Sequence, residues 1–274
     1  MPRGAAPGQP PLCVGRKDPS PVRLSVVIPV FNAAPFLEDS LRGLQAYLDR
    51  RCPDHEIVAA NDGSTDGSLE LLRTLEGEGF RVVSSPTNRG KFAAIRDGMA
   101  AAAGSCRVFT DADVPFDHSA LPYIERLIND RGFHLVVGDR TLPDSVYHES
   151  QPWTRRLSTS LFRHAVRLLV TGGIPDSQAG LKGFRADVAD ALFPLLAETS
   201  FAGDIELLYI ALKHNLAIRR IPVRLQRQGP STVRPSRHAW AMLRALTRLR
   251  GRWRRGLYRS DALAALAAQR YWEA

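Results

Sequence analysis

The sequence predicts an α/β fold in which helices flank a mostly parallel central sheet. Short runs rich in β-branched residues alternate with longer amphipathic runs, which is the pattern of repeated strand–helix–strand units. Polar segments follow the first, second and fourth β-rich runs, and parallel sheets bind their ligands beyond the carboxyl ends of the strands. With 274 residues, of which 44% are hydrophobic, the chain is long enough to cover both faces of such a sheet.

The first half of the chain contains four predicted strands and three predicted helices. The run LSVVIPV is apolar throughout, as expected for a strand that is buried on both faces. The helical runs place apolar residues three or four positions apart, and the third run ends at Gly104, a common stop signal. The strands cover residues 24–30, 55–60, 81–84 and 106–110, and the helices cover 35–49, 68–75 and 91–103.

The second half has a less regular pattern. Predicted strands cover residues 133–138, 181–184 and 216–225, and predicted helices cover 154–170, 186–196 and 201–214. No GxGxxG motif follows the first strand, and the chain contains no GxxxxGK[ST] motif. A dinucleotide-binding site and a P-loop are therefore not expected.

Positive charge is concentrated at the C-terminal end of the chain. The formal net charge is +9, yet the 56 residues from Arg219 onwards contain 14 arginines and only two acids, so the remainder is slightly acidic. Between residues 237 and 259, apolar residues recur every three or four positions beside eight arginines, which predicts a basic amphipathic helix. Such a helix can lie on an anionic membrane surface, or its apolar stripe can pack on the body. Nucleic acid is not an expected partner, because no recognition module accompanies the arginines.

This pattern divides the chain into three parts. Residues 1–22 are rich in Pro, Gly and Ser and predict a disordered arm, residues 23–235 predict the folded domain, and residues 236–274 predict the basic amphipathic helices. No apolar run approaches the ~20 residues that a bilayer-spanning helix needs. We expect a cytoplasmic protein that associates peripherally with the membrane.

Two carboxylates, Asp111 and Asp113, follow directly after the predicted strand at 106–110. Neighbouring carboxylates at a strand end repel each other unless a cation lies between them. Mg²⁺ or Mn²⁺ is held by one or two protein carboxylates and completes its shell with substrate phosphates. The pair therefore predicts a site for a metal and a diphosphate; the alternative is a helix-capping acid beside a solvated loop acid.

Two other polar segments are candidates for contact with the same ligand. Gly63 permits a tight turn and Asp66 can cap a helix, but neither role explains Asp62, which can accept hydrogen bonds from a base or ribose. Asn88 and Lys91 lie at the start of the third helix, where free N–H groups attract an anion. The alternative for this segment is an ordinary capped helix with solvated charges.

Eight segments occur in an order that resembles the family 2 glycosyltransferases of the GT-A fold. They are SVVIPVFN, NDGSTDGS, NRGKFAAIRDG, TDAD, GDR, DSQAGLKGF, FAGDIELLYIA and IPV. The blocks at 176–182 and 204–211 are similar to those of dolichyl-phosphate β-glucosyltransferases and polyprenyl-phosphate mannose synthases. The resemblance implies a Rossmann-like GT-A sheet and a metal-dependent, inverting transfer of a hexose. The implied donor is a nucleotide sugar, preferably a UDP-sugar, and the implied acceptor is a polyprenyl phosphate.

The resemblance also implies roles for individual residues. Pro29 and Phe31 would line the base pocket. Arg140 and either Arg155 or Arg156 would place the acceptor phosphate, because arginine binds phosphate oxygens bidentately. The remaining residues implied to contact a ligand are Gln178, Lys182, Arg227, Ser231 and Arg234.

The implied role of Asp204 depends on the acceptor. A phosphate acceptor is already ionised near neutral pH and needs no base, so Asp204 would orient the sugar or support Lys182. If the acceptor were a hydroxyl of a soluble glycan or natural product, Asp204 would be the general base. A degenerate fold that serves as a scaffold is a third alternative, which the intact Asp111 and Asp113 disfavour.

Phe92 and Gly203 are among the residues that depart from the family pattern. Phe92 stands where glycine is usual, and Gly203 stands where phenylalanine is usual. We expect Phe92 to narrow the entrance of the cleft.

Overall fold

The computed structural model describes residues 22–146, 176, 179–200, 202–226 and 248–269. Seven strands form one sheet: β1 (Leu24–Val30), β2 (His55–Asp62), β3 (Phe80–Ser85), β4 (Cys106–Thr110), β5 (Leu135–Asp139), β6 (Leu181–Arg185) and β7 (Ile218–Pro222). The helices are α1 (Ala34–Arg51), α2 (Ser68–Leu75), α3 (Lys91–Ala101), α4 (Ala120–Asn129), α5 (Ala186–Leu192), α6 (Gly203–Lys213) and α7 (Asp261–Ala268).

The strand order is β3-β2-β1-β4-β6-β5-β7. Strand β1 pairs in parallel with β2 and β4, β2 with β3, and β5 with β7, whereas β6 runs antiparallel between β4 and β5. The predicted α/β class with a mostly parallel sheet is therefore confirmed.

Alternate residues of the central strands enter two separate cores. Val26 and Ile28 of β1 belong to the core on one face of the sheet, and Val27 belongs to the core on the other. This follows from the two-residue period of a strand and explains why the run is apolar throughout.

Most predicted strands and helices are present, with differences at their ends. The helix predicted at 186–196 stops at Leu192 and continues as the 3₁₀ turn Phe193–Leu195, because Pro194 cannot continue an α-helix. Strand β7 is shorter than predicted, and α4 was not predicted at all. Pro122 lies in the first turn of α4, where its missing N–H has no intrahelical partner to lose. The helix predicted at 154–170 lies outside the described residues.

The described part of the basic C-terminal region packs on the body. Residues 248–254 are helical, and Leu249, Tyr258 and Leu263 are buried in the same core as α5 and α6. Trp253 packs edge-on against Tyr209, with ring centroids 6.3 Å apart. Of the two predicted uses of the apolar stripe, packing on the body is the one seen from residue 248 onwards. No helix in the described parts of the chain is both long enough and apolar enough to cross a bilayer.

Candidate functional site

The predicted polar segments meet at one edge of the sheet. Strands β1, β2 and β4 are neighbours and run in parallel, so their carboxyl ends lie side by side. The first residue of α3 reaches this edge, where the Lys91 ammonium donates a hydrogen bond to the Asp111 carboxylate. The loop before α3 and the end of β4 are therefore parts of one site.

Lys91 is the cation at the centre of an acidic cluster. Burial alone would lower the pKa of Lys91, but attraction to Asp111, Asp204 and Asp113 exceeds this effect and raises it. Lys91 therefore stays charged at neutral pH. Because Asp204 also pairs with Lys182, the three carboxylates face two ammonium groups, and the remaining negative charge favours a further cation.

The Asp111 carboxylate packs directly against the backbone of Gly180. A Cβ atom at this position would lie 2.7 Å from the Asp111 carboxyl carbon, closer than side chains approach one another. Gly180 belongs to the DSQAGLKGF segment, so one physical reason for glycine in that segment is the room it leaves for Asp111.

Asp111 and Asp113 fit a hard divalent cation. The pKa of Asp113 is raised by burial and by repulsion from Asp111, and a cation between the two carboxylates would relieve this repulsion. Among the described residues, no three His, Cys, Asp or Glu side chains surround a common metal position. Two carboxylates suffice for Mg²⁺ or Mn²⁺ if phosphate oxygens complete the shell.

Asp62 shapes the loop that presents Lys91. Its two carboxylate oxygens accept hydrogen bonds from the backbone N–H groups of Arg89 and Gly90, each at 2.8 Å. Gly63 has φ of 68°, and a Cβ there would lie 2.6 Å from the backbone nitrogen of Asn88. Asp62 is only 2% exposed, so its main visible role is to hold this loop, and its contact with a base or ribose stays a prediction.

Phe31 is exposed just after the end of β1. Its side chain is 49% exposed, and the next residue, Asn32, has φ of 49°. Asn32 is braced because its side-chain oxygen accepts the Thr65 N–H at 2.8 Å, while its own N–H donates to the Ser64 hydroxyl. An exposed ring in a braced loop can stack on a planar base. The base pocket of Phe31 and Pro29 stays a prediction.

Lys182 and Asp204 form a buried ion pair below the acidic cluster. The Lys182 ammonium donates to Asp204 Oδ1 at 2.5 Å and to the carbonyl oxygen of Ala179 at 2.7 Å. Lys182 is fully buried, so in this arrangement its ammonium contacts Asp204 and not a ligand in the cleft. Of the three roles considered for Asp204, support of Lys182 matches this geometry, whereas a general base would need a freer carboxylate.

Phe92 lies beneath the site. The ring is buried, and any side chain at position 203 would overlap it. The two departures from the family pattern therefore compensate each other, since the ring occupies the space that Gly203 leaves. The expectation that Phe92 narrows the cleft entrance is wrong, because its ring points into the core.

Comparison with known proteins agrees with this geometry. The family described as "Glycosyl transferase family 2" matches residues 25–193. The chain belongs to this family. It is a glycosyltransferase of the GT-A fold.

Two curated relatives and one solved structure illustrate the likeness. The chain is 27% identical over 265 residues to dolichyl-phosphate beta-glucosyltransferase of Dictyostelium discoideum, covering 91% of this chain and 80% of the relative. It is 29% identical over 196 residues to undecaprenyl-phosphate 4-deoxy-4-formamido-L-arabinose transferase of Aeromonas hydrophila subsp. hydrophila, covering 67% and 58%. Glucosyl-3-phosphoglycerate synthase of Mycobacterium tuberculosis, crystallised with Mn²⁺, UDP and glucosyl-3-phosphoglycerate, superposes with a TM-score of 0.62 at 21% identity, covering 84% and 80%.

In this glycosyltransferase, Arg140 is paired with an acid that the sequence analysis overlooked. Its Nε and Nη2 donate to the two carboxylate oxygens of Asp176 at 2.7 and 2.8 Å, and its backbone N–H donates to the same carboxylate at 2.9 Å. Burial would raise the pKa of Asp176, but the hydrogen bonds and charge of Arg140 outweigh burial and lower it. Contact between Arg140 and an acceptor phosphate stays a prediction.

A second acid overlooked by the sequence analysis, Asp139, accepts from Arg220 Nε at 2.5 Å and from the Thr141 N–H at 2.8 Å. Asp139 lies in the GDR segment and Asp176 lies in the DSQAGLKGF segment. Their positions inside these family-like segments could have identified both acids from the sequence.

Residues 224–226 of the glycosyltransferase lie beside the loop that follows Asp113. The Gln226 N–H donates to the Pro115 carbonyl oxygen at 2.8 Å, and the Asp117 N–H donates to the Arg224 carbonyl oxygen at 2.8 Å. The chain therefore enters the segment from residue 227 next to the loop that carries Asp113. The predicted residues outside the described parts of the chain are Arg155, Arg156, Gln178, Arg227, Ser231 and Arg234.

Proposed function

We propose that this glycosyltransferase transfers a hexose from a nucleotide sugar, preferably a UDP-sugar, to a polyprenyl phosphate in a reaction that requires Mg²⁺ or Mn²⁺. The observation that carries the proposal is the cluster of Asp111, Asp113 and Asp204 around Lys91 at the carboxyl edge of the sheet. The names of the two curated relatives specify polyprenyl phosphates, and the solved structure contains UDP and Mn²⁺, which supports both substrates.

On the donor side, Asp111 and Asp113 would hold the cation, and Lys91, which donates a hydrogen bond to Asp111, would contact the diphosphate of the donor. A divalent metal supplies positive charge that stabilises the departing nucleoside diphosphate. Asp62 keeps the Lys91 loop in place through its two backbone hydrogen bonds. Phe31 and Pro29 offer the base a surface, and Asn88 lies in the same loop as Lys91.

On the acceptor side, the charges suit an ionised phosphate better than a hydroxyl. A phosphate monoester needs cations to place it and little or no base, and Arg140 and Arg156 are the candidates. Asp204 is tied to the buried Lys182, which disfavours it as a general base. The other proposed ligand contacts are Gln178, Arg227, Ser231 and Arg234.

We also propose that the protein is cytoplasmic and binds peripherally to an anionic membrane, where a polyprenyl phosphate is embedded. Because Leu249 is buried and Trp253 packs on the body, we assign the contact to the opposite, arginine-rich surface. Leu257, which is 56% exposed, lies in that surface. The exposed arginines of this surface are Arg248, Arg250, Arg254, Arg255 and Arg259.

The test is incubation with labelled UDP- and GDP-sugars and undecaprenyl phosphate, with Mg²⁺, with Mn²⁺ or with EDTA. We expect butanol-extractable label that depends on the metal and is lost in D111N and D113N. The matched control is D49N, which makes the same change at the exposed far end of α1 and should keep full activity. Label that appears only on water-soluble hydroxyl acceptors, or transfer that persists in EDTA, would contradict the proposal.

A further inference from the structure

Glu206 is a fully buried carboxylate with hydrogen-bond donors on both oxygens. It lies in the first turn of α6, two residues after Asp204. Oε2 accepts the N–H groups of Ala197 and Glu198 at 2.9 and 2.8 Å. A buried charge with this many donors is held tightly, because losing one of them leaves the charge poorly compensated.

The other oxygen of Glu206 is held by the C-terminal region. Oε1 accepts hydrogen bonds from the Tyr258 hydroxyl and from Arg252 Nη1, the latter at 3.1 Å. Burial, together with the nearby Glu206 charge, raises the pKa of Tyr258, so the hydroxyl remains a donor. The Tyr258 carbonyl oxygen accepts a hydrogen bond from His214 Nε2 at 2.8 Å, which fixes the backbone at this point.

The loop held by Glu206 also supports the donor side of the site. The Thr199 carbonyl oxygen accepts the Phe92 N–H at 2.9 Å, and a Cβ on Gly90 would lie 3.1 Å from the Thr199 carbonyl carbon. The loop thus packs tightly against the residues on either side of Lys91. Through Glu206, the C-terminal region is connected to Asp204 along α6 and to Lys91 along this loop.

We propose that Tyr258 and Arg252 are positioning residues for glycosyl transfer, which act by holding Glu206 and thereby set the placement of Asp204 relative to Lys91. The catalytic consequence rests on the proposed function, but the structural link does not. Neither residue lies in one of the eight segments that resemble the family, and both come from the basic C-terminal region.

The experiment compares Y258F and R252M with L263A. Leu263 is buried in the same C-terminal region, but its apolar side chain donates no hydrogen bond, so L263A reports destabilisation alone. Hydrogen exchange is followed in the peptides covering residues 88–99 and 196–206, and kcat is measured for the full-length protein well below each melting temperature.

We expect Y258F and R252M to exchange faster in both peptides and to lose about tenfold in kcat, since small displacements of reacting groups are costly. L263A should lower the melting temperature but leave both kcat and the hydrogen exchange of the two peptides unchanged. In an E206Q background, adding Y258F should alter kcat by less than about twofold, because the two residues act as a unit.

Unchanged exchange in residues 88–99, wild-type kcat in both variants, or an equal loss of kcat in L263A would overturn the inference. If the wild-type protein transfers no sugar to a lipid phosphate, the proposed function fails. The exchange comparison then still decides whether Tyr258 and Arg252 position the site.

Discussion

At the scale of single residues, the site depends on two glycines whose missing side chains leave space for neighbouring atoms. Gly180 leaves room for the Asp111 carboxylate, and Gly63 leaves room for the backbone at Asn88. Both glycines lie beside a carboxylate that the site uses, so an added methyl group at either position would move that carboxylate or its loop.

Replacing Gly180 by alanine should reduce activity more than stability. The new Cβ would overlap the Asp111 carboxylate and displace it from Lys91, and we expect kcat to fall at least about tenfold, since reacting groups tolerate little displacement. The control is G43A, an exposed helical glycine with no atom within 4 Å of the added Cβ, which should be neutral or stabilising by up to ~1 kcal/mol. Wild-type kcat in G180A would show that Asp111 is not fixed by this contact.

Replacing Asp176 by asparagine should destabilise the protein in a pH-dependent way. The buried pair with Arg140 lowers the pKa of Asp176, so its ionised form stabilises the fold above the ordinary Asp pKa, and this contribution is lost as the pH falls through the lowered value. We expect D176N to cost about 3 kcal/mol at pH 7, and the difference from wild type to narrow below about pH 5.

Urea unfolding at pH 7, 5, 4 and 3.5 measures this difference. The matched control is D190N: Arg107 is buried, but its partner Asp190 is 61% exposed, so losing this carboxylate should cost at most about 1 kcal/mol. A D176N penalty that stays constant down to pH 3.5 would exclude the ion pair as its source.

At the scale of helices and strands, the site is set by the contact between the starts of α3 and α6. Lys91 begins one helix and Asp204 lies in the first turn of the other, and between them the Phe92 ring packs on Gly203. The separation of the two helices at Phe92 and Gly203 therefore determines the distance between the Lys91 ammonium and the Asp204 carboxylate.

The substitution G203A should push these two helices apart. We expect a loss of ~1–3 kcal/mol in the free energy of unfolding, because the core at Phe92 has no space for a methyl group. In an F92A background the clash disappears, so adding G203A should be neutral or stabilising, as alanine is a better helix former than glycine. A double-mutant cycle by urea unfolding gives the coupling, and additive effects would rule out a direct Phe92–Gly203 conflict.

The elements that could be predicted from sequence are those with a strong local signal. Strand β4 matches its predicted range because five buried residues end at a polar loop, and α2 matches because leucines recur at helical spacing. Helix α4 was missed because Pro122 interrupts the pattern in the only turn where proline is tolerated.

The parts of the site that could not be predicted are contacts between residues far apart in sequence. Asp111 and Lys91 were each identified as candidates, since both follow or open an element at the carboxyl edge of the sheet. Their direct contact, the buried pairing of Lys182 with Asp204 and the link from Glu206 to Tyr258 depend on tertiary packing. No local pattern encodes such distances, so the sequence indicated the participants but not the pairs.

At the scale of the whole molecule, the described part of the basic C-terminal region packs on the body, and the membrane contact proposed for it has to be compatible with that packing. From residue 248 onwards its apolar side chains complete the core, and most of its arginines remain on the surface. Deleting this region would therefore remove Leu249, Tyr258 and Leu263 from the core, and a loss of membrane binding in such a truncation would be uninterpretable.

Substituting surface arginines tests the membrane contact without this problem. In R254Q/R255Q/R259Q three exposed charges are removed, and at ~1 kcal/mol for each charge near an anionic bilayer we expect about 100-fold weaker binding. The measurement is co-sedimentation with phosphatidylglycerol vesicles at low and physiological salt, with phosphatidylcholine vesicles as the neutral reference. The matched control is R42Q/R73Q/R126Q, which removes three exposed charges from the body and should bind as wild type does.

Because exposed charges are screened by salt, the wild-type protein should lose affinity for the vesicles as salt rises, and R254Q/R255Q/R259Q should lose less. Equal binding by the two triple variants would assign the attraction to the net charge of the molecule, and the C-terminal surface would then have no special part in it.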